Sequence, residues 1–302
     1  SGYHHGLYDS VRGANKTIIS SSSNAESAGS AQLMSFDDGG FTVGDNGDSG
    51  NYVNLSGDDY VAWCWKAGGE PVVDTSGTIT SLVSANKDAG FSVVSWTGTD
   101  AAGTIGHGLS KKPELMWVKP RSTANSWVHY DFQFGGTHYM ALQTTQASAS
   151  NSTRWNNLNP DSKVFSVGNH VSVSDDGNKH IAYLWHSVEG FSKIGTYEGN
   201  GSTDGPFIYT GFRPKWLIWK NADATNNWVI VDAVRTSTNP ITGSSSTLYA
   251  DTSNRESDYS TNIDLFSNGF KARTDGGHIN SSGVTYIYMA FAETPSAFTN
   301  SR

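Results

Sequence analysis

The ten tryptophans are the residues of this chain best suited to binding a ligand. An exposed indole ring combines a broad apolar face with one N–H donor, and such a ring can stack on the face of a sugar. Trp127 and Trp228 begin strands in matching sequence surroundings, so we expect both in the core. The other rings are too many for the core faces alone, and we predict a tryptophan platform that binds a ligand. Its members are Trp117, Trp155, Trp216 and Trp219.

The competing interpretation is that these four rings are also buried, because most tryptophans in β-sandwiches are core residues. Exposure therefore decides between a ligand platform and a large apolar interior.

Aspartate-rich turns are the second group with possible chemistry. Asp45 and Asp48 lie in an acidic, glycine-rich stretch, and 175–178 is a weaker example. Carboxylate and amide oxygens bind Ca²⁺, which takes about six to eight of them. Neither stretch has the spacing of an EF-hand, and Asn-Gly and Asp-Gly are ordinary hairpin turns. We expect no cofactor, and calcium at Asp45 and Asp48 is the alternative.

Residues used in catalysis are present but are not arranged for it. Cys64 is the single cysteine, and because its repeat equivalents Leu184 and Ala290 are apolar, we interpret it as a small core residue. The nine histidines show no metal-ligand spacing. The seven glutamates offer no pair of the kind that a glycosidase holds about 5–10 Å apart. The sequence therefore predicts a protein that is not an enzyme.

Composition narrows the class of partner. Charged residues make up 16% of the chain, against a usual value of about 25%, and aromatic residues make up 12%. Such a chain can bury a core, whereas a disordered chain has many charges and few aromatics. The net charge is −8 and no basic cluster exceeds Lys111-Lys112, so we expect no nucleic acid partner. No apolar run approaches the roughly 20 residues of a membrane span, so we expect no membrane insertion.

Three sequence marks recur along the chain in a fixed order. Gly90-Phe91-Ser92 reappears as Gly190-Phe191-Ser192, and a proline-to-lysine segment at 113–119 reappears at 214–220. Both recurrences are separated by about 100 residues, which is too long for a solenoid repeat and suits a β-sandwich. The third mark is a closing strand preceded by glycine, at 60–65, 180–185 and 286–291.

These marks give the fold class and the domain organisation. Strands rich in β-branched and aromatic residues, bounded by Gly, Asn and Asp, predict an all-β protein. We predict tandem β-sandwich domains of lectin-like or jelly-roll-like form, with the first one partial or completed by other segments. The divisions are 1–68 (back half of a first repeat), 69–89 (inter-repeat segment with one strand), 90–189 (second repeat), 190–295 (third repeat) and 296–302 (tail).

Several blocks of strand and turn residues are distinctive. They include 8–16 (YDSVRGANK), 60–69 (YVAWCWKAGG) and 205–214 (GPFIYTGFRP). Together they resemble the repetitive, tail-fibre-like virion proteins of marine bacteriophages. The resemblance implies a structural, lectin-like protein on the surface of an extracellular particle, and it carries over no catalytic residues.

The resemblance and the repeats lead to two functional hypotheses. The first is a structural or attachment protein of a phage virion, either a tail fibre, a head fibre or a decoration. Its expected partners are other virion proteins and host-surface glycans. We also expect a homo-oligomer, a trimer by analogy, in which multivalency increases the overall affinity of weak glycan contacts. The second is a glycan-binding module of a secreted bacterial adhesin or polysaccharide-degrading enzyme.

Overall fold

The computed structural model describes residues 2–29, 32–44, 53–236, 239, 241, 247–256 and 262–292. Strands account for 41% of the described residues and helices for 4%, in several antiparallel sheets, which confirms an all-β fold with sandwich-type units. Within these ranges, no helix has the length and apolar character needed to cross a membrane.

The protein divides into two compact units. The N-terminal unit comprises residues 3–143 and 150–185, and the C-terminal unit comprises residues 1–2, 144–149 and 186–302. Strands up to β15 and three short helical turns precede residue 186. They are β1 (Gly6–Leu7), β2 (Lys16–Ile19), β3 (Ser27–Ala28), β4 (Leu33–Asp37), β5 (Gly40–Val43), β6 (Val72–Asp74), β7 (Ser81–Asn86), β8 (Phe91–Thr97), β9 (Gly103–Gly106), β10 (Leu115–Pro120), β11 (Val128–Asp131), a 3₁₀ turn (Gly135–Thr137), β12 (His138–Tyr139), β13 (Ala149–Ser150), α1 (Ser152–Trp155), β14 (Val164–Val167), α2 (Val171–Ser174) and β15 (Lys179–Trp185).

The N-terminal unit is organised around a six-stranded antiparallel sheet in the order β11-β10-β15-β8-β7-β6. The central strands β8, β10 and β15 are buried on both faces, which explains why their sequences are apolar almost throughout. One face packs against the β9–β14 pair and the two helical turns to form a continuous core. Its members include Val94, Ile105, Met116, Val118, Trp155, Phe165 and Leu184.

Residues 3–28 cover the opposite face of this sheet. The Tyr183 hydroxyl donates to a carboxylate oxygen of Asp9 at 2.7 Å. The indole N–H of Trp127 donates to the carbonyl of Ile19 at 2.8 Å. The segment expected as part of a first repeat therefore packs on the sheet formed by residues 72–185.

The predicted closing strand at 60–65 is wrong. The structure assigns no strand there, and the residues of this segment alternate between exposed and half-buried. Its equivalents are β15 and β23 (Thr285–Ala292). Each of them is central in its sheet because it lies between the strand at a Gly-Phe-Ser mark and a proline-to-lysine strand. Residues 1–59 contain no such pair of segments. Cys64, predicted to be a core residue, is consequently exposed.

The segment 69–89 was expected to hold one strand, and the structure corrects this to two. Both β6 and β7 lie within the segment, and they pair as an antiparallel hairpin at the edge of the six-stranded sheet. The two adjacent valines Val72 and Val73 form too short an apolar run to have marked β6 as a strand.

The main sheet of the C-terminal unit repeats the order of four strands of the N-terminal one: β16-β23-β18-β19 corresponds to β8-β15-β10-β11. The whole sheet has the order β16-β23-β18-β19-β20, and a second sheet has the order β17-β22-β21. The new strands are β16 (Ser192–Glu198), β17 (Phe207–Tyr209), β18 (Pro214–Asn221), β19 (Val229–Asp232), β20 (Leu248–Tyr249), β21 (Ile263–Phe266) and β22 (Gly269–Ala272).

Registers in the two main sheets are also the same. In the N-terminal unit, Leu115 pairs with Asp131 on one side and Trp185 on the other. Trp216, which lies 101 residues later in the chain, pairs with Asp232 and Phe291. The two proline-to-lysine segments therefore occupy the same place in both sheets, and each main sheet packs on a small sheet through a separate core.

Candidate functional site

The four residues of the predicted tryptophan platform are buried. Their exposed fractions are 8% for Trp117, 0% for Trp155, 6% for Trp216 and 1% for Trp219. The predicted platform is therefore wrong at these positions, since no ring presents a face to a ligand. The physical reason is that both faces of each main sheet are covered, which provides more core positions than a simple two-layer sandwich.

The packing of these rings shows that they hold the cores together. Trp117 packs edge-on against Trp185 with ring centroids 5.0 Å apart, and Trp155 packs in the same way against Tyr130 at 5.7 Å. The indole N–H of Trp219 donates to the carbonyl of His278 at 2.9 Å. Trp127 and Trp228 are buried as expected.

Neither candidate calcium ligand can be placed, because Asp45 and Asp48 lie outside the described residues. Among the residues that are described, no group of three or more His, Cys, Asp or Glu side chains is arranged to hold a metal ion.

Exposed aromatic rings do occur together on the small sheet of the C-terminal unit. In β17, Phe207 and Tyr209 are 45% and 66% exposed, while Ile208 between them points into the core. Phe266 on β21 is 37% exposed and packs edge-on against Phe207 with ring centroids 5.7 Å apart. We call Phe207, Tyr209 and Phe266 the Phe/Tyr platform. Clustered exposed apolar side chains of this kind are characteristic of binding surfaces.

A glycine lies on the strand between the two strands that carry the aromatic rings of the platform. Gly269 on the middle strand β22 pairs with Tyr209 on one side and with Phe266 on the other. A Cβ atom at this position would lie 2.1 Å from the carbonyl oxygen of Ile208. Glycine thus allows β17 and β22 to approach closely, and the Phe207 ring lies over it, since its Cζ is 2.9 Å from the position that the Cβ would take.

Charged side chains form one border of the Phe/Tyr platform. Lys271 lies in register with Phe207, and its Nζ is 2.7 Å from a carboxylate oxygen of Asp204. Arg273 reaches the same carboxylate at 3.4 Å and binds Asp264 at 2.5 Å. The hydrogen bond and charge of Lys271 hold the pKa of Asp204 below its usual value. Apolar rings bordered by donors and acceptors are the combination that orients a polar ligand.

The corresponding sheet of the N-terminal unit has no platform. There Ile105 and Phe165 take the core positions of Ile208 and Phe270, which places Thr104 and Gly106 where β17 carries its two exposed aromatic rings. This sheet is also covered along one edge. The N–H of Ile79 donates to the carbonyl of Thr104 at 2.9 Å.

No residue in the described part of the chain forms the matching contact with β17. The difference between the two units was visible in the sequence: aligning 103–106 with 206–209 shows aromatic residues replacing threonine and glycine. The tryptophans are a poorer guide to an exposed surface, because their large apolar area favours burial.

The fold and the site define a class: an all-β protein with two sandwich-type units whose main sheets share the order of four strands, and whose C-terminal unit carries the Phe/Tyr platform. The chain belongs to the family described as a domain of unknown function, DUF7483, which matches residues 1–295. No curated protein and no solved structure matches it.

Proposed function

We propose that this protein is a structural and attachment component of a bacteriophage particle and that it contacts host-surface glycans through the Phe/Tyr platform. The observation that carries the glycan part is the platform itself: three exposed aromatic rings around a glycine, bordered by paired charges. The resemblance of the sequence to tail-fibre-like virion proteins supports the particle part.

Sugar rings have one face of C–H groups and a rim of hydroxyls. Tyr209 and Phe207 offer apolar faces for the former, and Asp204 and Lys271 offer hydrogen-bonding groups for the latter. Binding by stacking on one open surface is weak for a single copy. Display of many copies on a particle would increase the overall affinity by orders of magnitude through effective concentration. Other virion proteins and further copies of this chain, with a trimer by analogy, are the proposed partners.

The test of the glycan part is binding of purified host polysaccharide to the protein and to Tyr209→Ala and Phe207→Ala variants. We expect at least a tenfold loss of affinity in each variant. The matched control is Phe132→Ala, because Phe132 lies in the N-terminal unit and is 38% exposed. Melting temperatures should remain close to wild type in all three variants, since the side chains lie on the surface.

Unchanged affinity in both platform variants would contradict glycan binding by this surface. Release of reducing sugar from the polysaccharide would contradict the proposal that the protein is not an enzyme. The particle part has a separate test, which is labelling of purified phage with an antibody against this chain. Unlabelled particles together with retained glycan binding would favour the alternative, a module of a secreted adhesin or polysaccharide-degrading enzyme.

A further inference from the structure

Positive charge is concentrated around one cavity in the N-terminal unit, which is separate from the unit that carries the Phe/Tyr platform. The cavity has a volume of about 440 Å³. It is lined by four cationic side chains and one carboxylate, a formal charge of +3, in a chain whose net charge is −8. We call it the basic cavity, and its lining residues are Arg12, Lys16, Glu26, Arg121, Ser122 and Lys179.

Arg12 forms the inner wall and has no donor left for a ligand. Its Nε donates to Asp9 at 2.5 Å, and its Nη1 donates to the Lys16 carbonyl and to Glu26. Its Nη2 donates to the carbonyl of Leu7 and to the hydroxyl of Tyr183. These contacts use all five N–H groups of a guanidinium. Arg12 therefore positions the wall and contributes charge, but it does not contact a ligand directly.

Arg121 is only partly satisfied. Its Nε and Nη2 donate to the two carboxylate oxygens of Glu26 at 2.8 and 3.1 Å, and its Nη1 donates to Ser95 at 3.3 Å. Two of its five N–H groups remain available. Burial would raise the pKa of Glu26, but the hydrogen bond and charge of Arg121 hold it below its usual value. The carboxylate is therefore ionised, and it is occupied by arginine.

Lys16 and Lys179 provide the free cations of the basic cavity. No ion pair involves either residue within the described part of the chain. Their backbones are fixed nonetheless. The Lys16 carbonyl accepts from Arg12 at 2.9 Å, and the Lys179 carbonyl accepts from the N–H of Arg121 at 2.7 Å. Lys16 begins β2 and Lys179 begins β15, so both line the cavity from ordered strands, together with Arg121.

We infer that the basic cavity binds an oxyanion, either a sulfate or a carboxylate group, held by Lys16, Lys179 and the two available N–H groups of Arg121. Guanidinium and ammonium donors form charge-assisted hydrogen bonds with such groups, and these are the strongest hydrogen bonds available to a surface site. The inference does not depend on the Phe/Tyr platform, because every residue that lines the basic cavity belongs to the N-terminal unit.

The experiment is calorimetric titration of the whole chain with sodium sulfate and, separately, with sodium glucuronate. Glucose serves as the neutral control, and sodium chloride keeps the ionic strength constant because salt screens surface charge. We expect saturable binding of at least one anion and none of glucose. Which of the two binds more tightly tells whether the natural ligand carries sulfate or carboxylate.

The variant K16Q/K179Q should bind the anion at least tenfold more weakly. K111Q/K112Q removes the same charge from two exposed lysines outside the cavity and should bind like wild type. K16R/K179R keeps the charge and should retain binding, which separates loss of the site from loss of folding.

Absence of anion binding by the wild type would overturn the inference. Equal weakening in K111Q/K112Q would also overturn it, because that result would reflect general attraction to a charged surface. A Tyr209→Ala variant should bind the anion normally, so that failure of the glycan proposal and failure of this one can be told apart.

Discussion

Phe134 stands three residues after Asp131, at the position where both other repeats have an arginine paired with the aspartate. The carboxylate of Asp131 is buried without such a partner, and burial raises its pKa to about 7. The arginine–aspartate pairs of the other repeats are Arg12 with Asp9 at 2.5 Å and Arg235 with Asp232 at 2.6 Å.

We expect Asp131 to make the N-terminal unit less stable as the pH rises from about 4 to about 7. An unfolded aspartate has a pKa of about 3.9, so over this interval the folded state keeps a proton that the unfolded state has released. The Nε2 of His129 lies 3.9 Å from the carboxylate, and the Nδ1 of the same ring accepts the indole N–H of Trp117.

Urea denaturation of wild type and Asp131→Asn at pH 5 and pH 8 measures this effect. The variant should lack a pH-dependent loss of about 1.4 kcal/mol for each unit by which the pKa is raised. Asp88→Asn, a change at an exposed site, is the control and should behave like wild type. Identical pH profiles for wild type and Asp131→Asn would show that the carboxyl titrates normally.

Replacement of Arg12 by methionine should destabilise the N-terminal unit by about 3–5 kcal/mol, because it leaves the buried carboxylate of Asp9 unpaired. Arg273→Met removes an arginine that is paired with Asp264 but is exposed, and it should cost less than about 1 kcal/mol. Denaturant midpoints of the two variants provide the comparison. Similar small losses in both would mean that the Arg12 pair is solvated.

Gly269→Ala should destabilise the C-terminal unit by about 1–3 kcal/mol, since the added Cβ would overlap the Ile208 carbonyl and push β17 away from β22. Gly40 begins the equivalent strand near the start of the chain, and a Cβ there meets nothing within 4 Å. Gly40→Ala should therefore lie within about 0.5 kcal/mol of wild type. Equal melting temperatures for the two variants would argue against close approach of β17 and β22.

Lys119 and Lys220 occupy the same position in the two main sheets, and burial lowers the pKa of each to about 8. An unfolded lysine has a pKa of about 10.4, so the cost of burying these charges should decline as pH rises from 8 to 10. We expect Lys119→Met and Lys220→Met to be more stable than wild type at pH 7 and to lose this advantage by pH 10.

Denaturation at pH 7 and pH 10 checks the lysine prediction, with Lys87→Met as an exposed control. A methionine variant that is less stable at pH 7 would show that hydrogen bonds such as that from Lys119 to the Ser23 carbonyl outweigh the cost of burial.

The strand content was predictable because it follows from local composition, namely turn residues between short β-branched and aromatic runs. The failure at 60–65 has a different cause. These residues have the same character as β15 and β23, but a strand forms only where neighbouring strands supply hydrogen bonds, and those neighbours are distant in sequence. Residue types predict what a segment can form, and its partners decide whether it does.

The prediction of where the ligand surface lies was wrong for a related reason. Trp117 is buried because residues 3–28 cover its face of the sheet, and no local pattern around position 117 indicates this cover. Phe207 and Tyr209 alternate with Ile208 as a half-exposed strand should, so their orientation was readable. Their exposure could not be predicted in the same way. In the N-terminal unit, Ile79 covers the equivalent strand through its hydrogen bond to Thr104, and no local pattern indicates that β17 lacks such a cover.

The shortness of β17 has a consequence for crowded assemblies. β17 is an edge strand of only three residues, so it offers very few backbone hydrogen bonds to a strand of another molecule. Short edge strands are one way in which proteins avoid edge-to-edge aggregation. Copies of the chain at high local concentration can therefore expose these aromatic rings without pairing their edge strands into a continuous intermolecular β-sheet.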